Sequence, residues 1–178
     1  MITCETNHDL AWAAGIIDGE GSIYIRKNTH LSDRSVQYKG RHRSPGYSLI
    51  LEVGMTDAIT ILKLYDIFQC GVLIKPKKLR STRWVYRWHC SSNAACEILS
   101  WVYPWLVTKK LQAKLAFRFS KIKIKGMNTP MPIKQVQHKD LYYRLMRRMK
   151  APLSTVDIRY LMQCPSANKP LEIIPTTD

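Results

Sequence analysis

Residues 10–22 read LAWAAGIIDGEGS, and the fold turns on how this stretch is understood. Leu10, Ala13, Ala14 and Ile17 recur at helical spacing. Ala11, Ala14, Gly15 and Asp18 form a second stripe with almost no side-chain volume. Such a stripe lets another helix come close. Gly19 and Gly21 then free the backbone to turn, and Glu20 stands between them. Taken alone, the stretch is equally well an ordinary core helix ending in a solvated glutamate.

After Gly21 the period changes. Ile23 and Ile25 alternate with Tyr24 and Arg26, the pattern of a half-buried strand. Residues 28–45 are polar and basic, a long loop or irregular hairpin. Residues 47–55 (YSLILEVGM) alternate again, with Leu49, Leu51 and Val53 on one face. Thr56 or Asp57 is expected to cap the next helix, whose apolar positions are Ile61, Leu62, Tyr65 and Phe68. Residues 72–77 and 83–90 read as a hairpin with a basic turn. Trp84, Tyr86 and Trp88 share one parity, and Val85, Arg87 and His89 the other. Alternation alone leaves open which side faces the core.

Three further helices are expected. Ser91 or Ser92 opens the first and Thr108 caps the second, which extends through the lysines to about residue 125. The third runs from about 136 to 150, and a short helix is expected near 156–162. The result is an α+β domain, an antiparallel sheet with helices on one face. The other face is then free for a partner, and the first helix is not needed to cover it.

Composition narrows the partner. The 178 residues carry 28 Lys and Arg against 13 acids, a net charge of +15. No acid lies between Asp66 and Glu97, or between Glu97 and Asp140. That imbalance predicts a polyanion, nucleic acid above all. The five cysteines show no CxxC pairing, so free thiols in an intracellular, reducing compartment are expected and a zinc site is not. No apolar run is long enough for a membrane span, and the N-terminus does not read as a secretory signal.

LAWAAGIIDGEGS resembles the signature of the LAGLIDADG homing endonucleases. Ala14, Gly15, Ile17, Asp18, Gly19, Gly21 and Ser22 fit it, and Ala13 replaces the usual leucine. Glu20 stands where the family places its essential metal-binding acid. The segment YPWLVTKKLQAKLAFRF (103–119) resembles a second family block. The resemblance implies an αββαββα core over residues 1–125, its sheet forming a DNA-binding saddle. Residues 126–178 are then a C-terminal helical extension packed on the same domain.

One motif copy per chain implies a homodimer in which Ala11, Ala14, Gly15 and Asp18 meet their equivalents. The implied activity is site-specific double-strand DNA cleavage. The site is long and roughly palindromic, and cutting across the minor groove leaves short 3′ overhangs. Glu20 and the carbonyl of Gly19 would hold Mg2+. Mn2+ would substitute, and Ca2+ would support binding without cleavage. Lys109 matches the family's basic residue near the scissile phosphate, with Lys110 beside it.

The family's polar water-organising position falls on Met55 in the simplest register, and on Thr56 or Asp57 if the register shifts. DNA contacts are expected from Tyr24, Arg26, Asn28, Glu52, Lys75, Lys77, Arg80 and Arg83, and from Trp88 if its parity faces outward. No small-molecule substrate is expected. The alternatives are a non-cleaving relative, such as an intron maturase or DNA-binding regulator, and a structural basic protein.

Overall fold

The computed structural model describes residues 7–28, 45–78, 83–122 and 131–149. The chain begins with α1 (Asn7–Glu20), which passes without a loop into β1 (Gly21–Asn28). Gly21 makes this abrupt turn possible: a Cβ there would overlap the carbonyl oxygen of Ile17 and lie 2.8 Å from its Cα. β2 (Gly46–Met55) returns antiparallel to β1 and leads to α2 (Ala58–Phe68). The hairpin β3 (Val72–Lys78) and β4 (Trp84–Ser91) follows, then α3 (Ser92–Val102), α4 (Lys110–Ser120) and α5 (Ile133–Arg148).

The sheet order is β1-β2-β4-β3, antiparallel throughout. Four strands and five helices among the described residues make the α+β architecture expected from the sequence. α2 starts on Asp57, whose carboxylate accepts from the backbone N–H groups of Ile59 and Thr60. It ends on Gln69 in the left-handed region. Gly71 follows at φ 91°, where any Cβ would press on the Trp88 indole nitrogen.

Alternate strand residues and one stripe of every helix form a single core. Ile23, Ile25, Leu49, Leu51, Val53, Trp88 and Cys90 come from the strands. Ala13, Ala14, Ile17, Leu64, Phe68, Leu99, Ala116 and Met146 are among those from the helices. The first helix is therefore part of the cover of the sheet's core face, and not of the opposite face. α5 docks on β1 through a polar cluster. The Asp140 carboxylate accepts from Lys27 Nζ at 2.5 Å, from the Tyr47 hydroxyl at 2.9 Å and from Arg144 Nε at 2.8 Å.

Three boundaries differ from expectation. α4 ends at Ser120 rather than near 125, and α5 starts at Ile133 rather than 136. Thr108 does not cap α4; its hydroxyl is turned to Asp18 instead. The expected helix at 156–162 lies outside the described residues.

Candidate active site and nucleic-acid interface

Glu20 is the last residue of α1 and is exposed. The final carbonyls of a helix lack intrahelical partners and carry its negative dipole end. Glu20 therefore adds a full negative charge to a place already attractive to cations. Gly19 is exposed too, and a Cβ there would meet nothing within 4 Å. The Asp18 carbonyl is already used: it accepts from Lys109 Nζ and, at 3.3 Å, from the Thr108 hydroxyl.

The Asp18 carboxylate binds the approach to α4. It accepts from Val107 N at 2.6 Å, Lys109 N at 2.9 Å and the Thr108 hydroxyl at 3.0 Å. The N-cap residue Lys109 makes no side-chain cap bond, so a carboxylate some ninety residues earlier serves the positive end of α4. Burial pushes the Asp18 pKa up, but these donors outweigh it and hold the carboxyl below the ordinary range. The same contact sets Lys109 beside Glu20. Burial lowers the Lys109 pKa, against the pull of Asp18 and Glu20.

One acid and a helix-end carbonyl are hard oxygen donors, the chemistry Mg2+ and Ca2+ prefer. They are too few to enclose an ion. Among the described residues no group of three His, Cys, Asp or Glu side chains is gathered for a metal. The donor types fit a divalent cation whose remaining ligands would come from outside the described residues.

The sheet face opposite the core carries Tyr24, Arg26 and Asn28 of β1, Glu52 and Gly54 of β2, and Val85, Arg87 and His89 of β4. Tyr24 donates to Glu52 at 2.9 Å, and Arg26 Nη2 donates to the Tyr24 hydroxyl at 3.3 Å. Burial, more than these contacts, raises the Tyr24 pKa, and the phenol stays a donor at neutral pH. Arg87 Nη1 stands 3.8 Å from Glu52 Oε1. Glu20, Ser22, Tyr24, Glu52, Gly54, Val85 and Arg87 line a shallow depression of about 290 Å3. The proposed metal-binding acid and the polar sheet surface are thus continuous.

Several expected site residues lie elsewhere. Trp88 is fully buried, stacked on Phe68 with ring centroids 5.4 Å apart, and donates its indole N–H to the Cys70 carbonyl. It cannot touch DNA, because its parity is the core parity. Ala14 is likewise fully buried and offers nothing to a partner helix. Asp18 is engaged within its own chain. Ala11 is half-buried, and Gly15 is exposed with open space around it.

Met55 lies opposite Tyr86, and Asp57 is spent on capping α2, so neither supplies a free polar group for organising water. Lys75 and Arg83 are exposed near the β3–β4 hairpin, and Lys77 lies in register opposite Val85. Arg80 is outside the described residues. Arg87 also stands on this open sheet face and was not among the expected contact residues. Its parity opposite Trp88 would have found it, had Trp88 been assigned to the core.

Cys70, Cys90 and Cys96 are free thiols. No described helix is long and apolar enough to cross a membrane.

No protein-family model and no curated protein matches the sequence. Solved structures do. The homing endonuclease I-CvuI, in complex with the I-CreI target, superposes with a TM-score of 0.62 at 19% identity, covering 88% of this chain and 96% of that one. The archaeal intron-encoded homing endonuclease I-Vdi141I, complexed with DNA, gives 0.59 at 11% identity, over 88% and 93%. The LAGLIDADG homing endonuclease I-SmaMI, bound to cleaved DNA, gives 0.52 at 22% identity, over 94% of this chain and 51% of that one.

Proposed function

We propose that this chain, which has the fold of the LAGLIDADG homing endonucleases, is a metal-dependent, site-specific DNA endonuclease acting as a homodimer. The observation that carries the reading is the end of α1. There Glu20 is exposed beside the polar sheet face, and Asp18 docks Lys109 next to it. The sheet is the surface for duplex DNA, with Tyr24, Arg26, Asn28, Glu52, Lys75, Lys77 and Arg83 as contact residues. We read residues 1–125 as the core and the remainder as an extension on it.

Phosphodiester hydrolysis needs neutralised phosphate charge, an activated water and a stabilised leaving oxygen. A divalent ion, Mg2+ with Mn2+ as substitute, supplies these when bound. Glu20 and the Gly19 carbonyl are the residues that would hold it. Lys109, relieved of part of its hydration and anchored by the Asp18 carbonyl, places positive charge where the scissile phosphate comes in. A second copy brings a second Glu20, one cut per strand, at the centre of a roughly palindromic site. Cutting across the minor groove leaves short 3′ overhangs.

The exposed face of α1, with Ala11, Gly15 and Gly19 in line, is the surface for that second copy. The high positive charge makes binding strongly salt-dependent. A non-cleaving nucleic-acid-binding relative is the second reading. It is favoured by Met55, which cannot position water.

The test selects duplexes bound and cut from a randomised library in Mg2+, then compares Glu20→Gln on the selected site. Cleavage by the wild type, with binding but no cleavage by the variant, supports the endonuclease. Binding by both with no cleavage in Mg2+ or Mn2+ establishes the non-cleaving relative instead.

A further inference from the structure

Arg87 sits at the centre of the open sheet face, in register with Gly54 on one side and Ile74 on the other. Its side chain lies down rather than standing up. A Cβ on Gly54 would be 3.3 Å from Arg87 Cγ, 3.7 Å from Nε and 3.8 Å from Cδ. The missing side chain of Gly54 is the bed for the arginine stem. At the far end, Nη1 faces Glu52 Oε1 at 3.8 Å, which is charge attraction beyond hydrogen-bond reach. Glu52 is itself fixed, because its other oxygen accepts from Tyr24. The Arg87 side chain makes no hydrogen bond among the described residues. The fork of donors is aimed but unspent.

We infer that Arg87 and Glu52 together read a single G·C base pair in the major groove of the target. This deepens the endonuclease reading and rests on it. The argument is chemical complementarity. Guanine presents two acceptors, N7 and O6, which suit the guanidinium fork, and cytosine presents one amino donor, which suits Glu52 Oε1. An A·T pair presents an acceptor, a donor and an acceptor, and leaves this side-by-side pair mismatched. Arg87 is the specificity residue; Glu52 also positions it, and Gly54 makes room for it.

The experiment measures binding of wild type, Arg87→Ala, Arg87→Lys and Gly54→Ala in Ca2+. The duplexes are the selected site and a series with each base pair of the half-site replaced in turn. Wild type is expected to show one G·C position at which replacement weakens binding by roughly 5- to 150-fold, the range of one bidentate contact. Arg87→Ala abolishes the discrimination at that position alone. Arg87→Lys abolishes most of it while keeping the salt dependence of the wild type. Gly54→Ala lessens it by displacing the stem.

The inference is overturned if Arg87→Ala weakens every duplex equally and lowers the salt slope by about one, with Arg87→Lys restoring both. That outcome makes Arg87 a phosphate contact. It is also overturned if the base preferences of Arg87→Ala match those of the wild type. A wild type with no sequence preference at all removes the endonuclease reading, and this inference with it.

Discussion

The carboxylate of Asp18 joins the end of α1 to the start of α4, and its removal can be costed from the contacts. Asp18→Ala strands two backbone N–H groups, those of Val107 and Lys109, and frees the Thr108 hydroxyl. A hydrogen bond to a charged group contributes about 1.5–3 kcal/mol, and a lost helix cap costs about 0.5–2 kcal/mol. The site is half-buried, so water restores part of what is lost. The net expectation is about 2–3 kcal/mol for Asp18→Ala and about 1 kcal/mol for Asp18→Asn, which keeps one acceptor.

For a chain of this size each kcal/mol moves the melting temperature by about 2–4 °C. Asp18→Ala should therefore melt about 4–12 °C below wild type. The pH dependence has a definite sign. The native carboxyl is held below its ordinary value, so its stabilisation is complete above that ordinary value, about 3.9. It is lost as pH falls through the lower native value. The gap between wild type and Asp18→Asn should be full at pH 7 and shrink at pH 3 and below. Circular-dichroism melts at equal protomer concentration measure both, since association also raises apparent stability. A melting point for Asp18→Ala within 2 °C of wild type refutes the assignment, as does a gap for Asp18→Asn that is unchanged at pH 3.

Three further outcomes are expected. Trp88→Ala removes a fully buried ring stacked on Phe68 and should cost about 3–5 kcal/mol; a stable variant with altered DNA preference would contradict its place in the core. Gly15→Leu puts bulk on an open helix face, where a Cβ meets nothing within 4 Å. It should leave the melt of the isolated chain unharmed while sedimentation shows a monomer, and an intact dimer would refute the α1 interface. Asp140→Asn removes a carboxyl that Lys27 chiefly holds down at about 2. The wild type should exceed it in urea resistance above about pH 4, with the difference closing as pH falls through 2, and equal curves at pH 7 would refute the latch between α5 and β1.

The element order could be read from the sequence because each segment keeps one clear period. The Asp57 cap was equally legible, since a cap acts within three residues of itself. What escaped depended on residues far apart in the chain. Thr108 has the right chemistry for a cap, but Asp18 reaches the same donors from the other end of the domain. Small residues such as Ala14 and Gly15 announce close packing without saying against what. Ala14 packs in its own core and Gly15 faces out, because neighbouring positions on a helix are about 100° apart. The aromatic strand was undecidable for a similar reason. Trp84 and Trp88 share a parity, yet Trp84 is half exposed at the hairpin end while Trp88 is fully buried and stacked on Phe68 of α2. Only the register of β4 on β2 turned Arg87 toward Glu52.

The junction at Gly21 has a mechanical meaning. Helix and strand meet with no intervening residue, and the chain doubles back so tightly that the Ile17 carbonyl fills the place of a Cβ. There is no slack at this corner to absorb a displacement. The 14-residue helix and the 8-residue strand it feeds therefore meet at a fixed corner, with Glu20 on it. Any side chain at position 21 has to open that corner, and Glu20 moves with it.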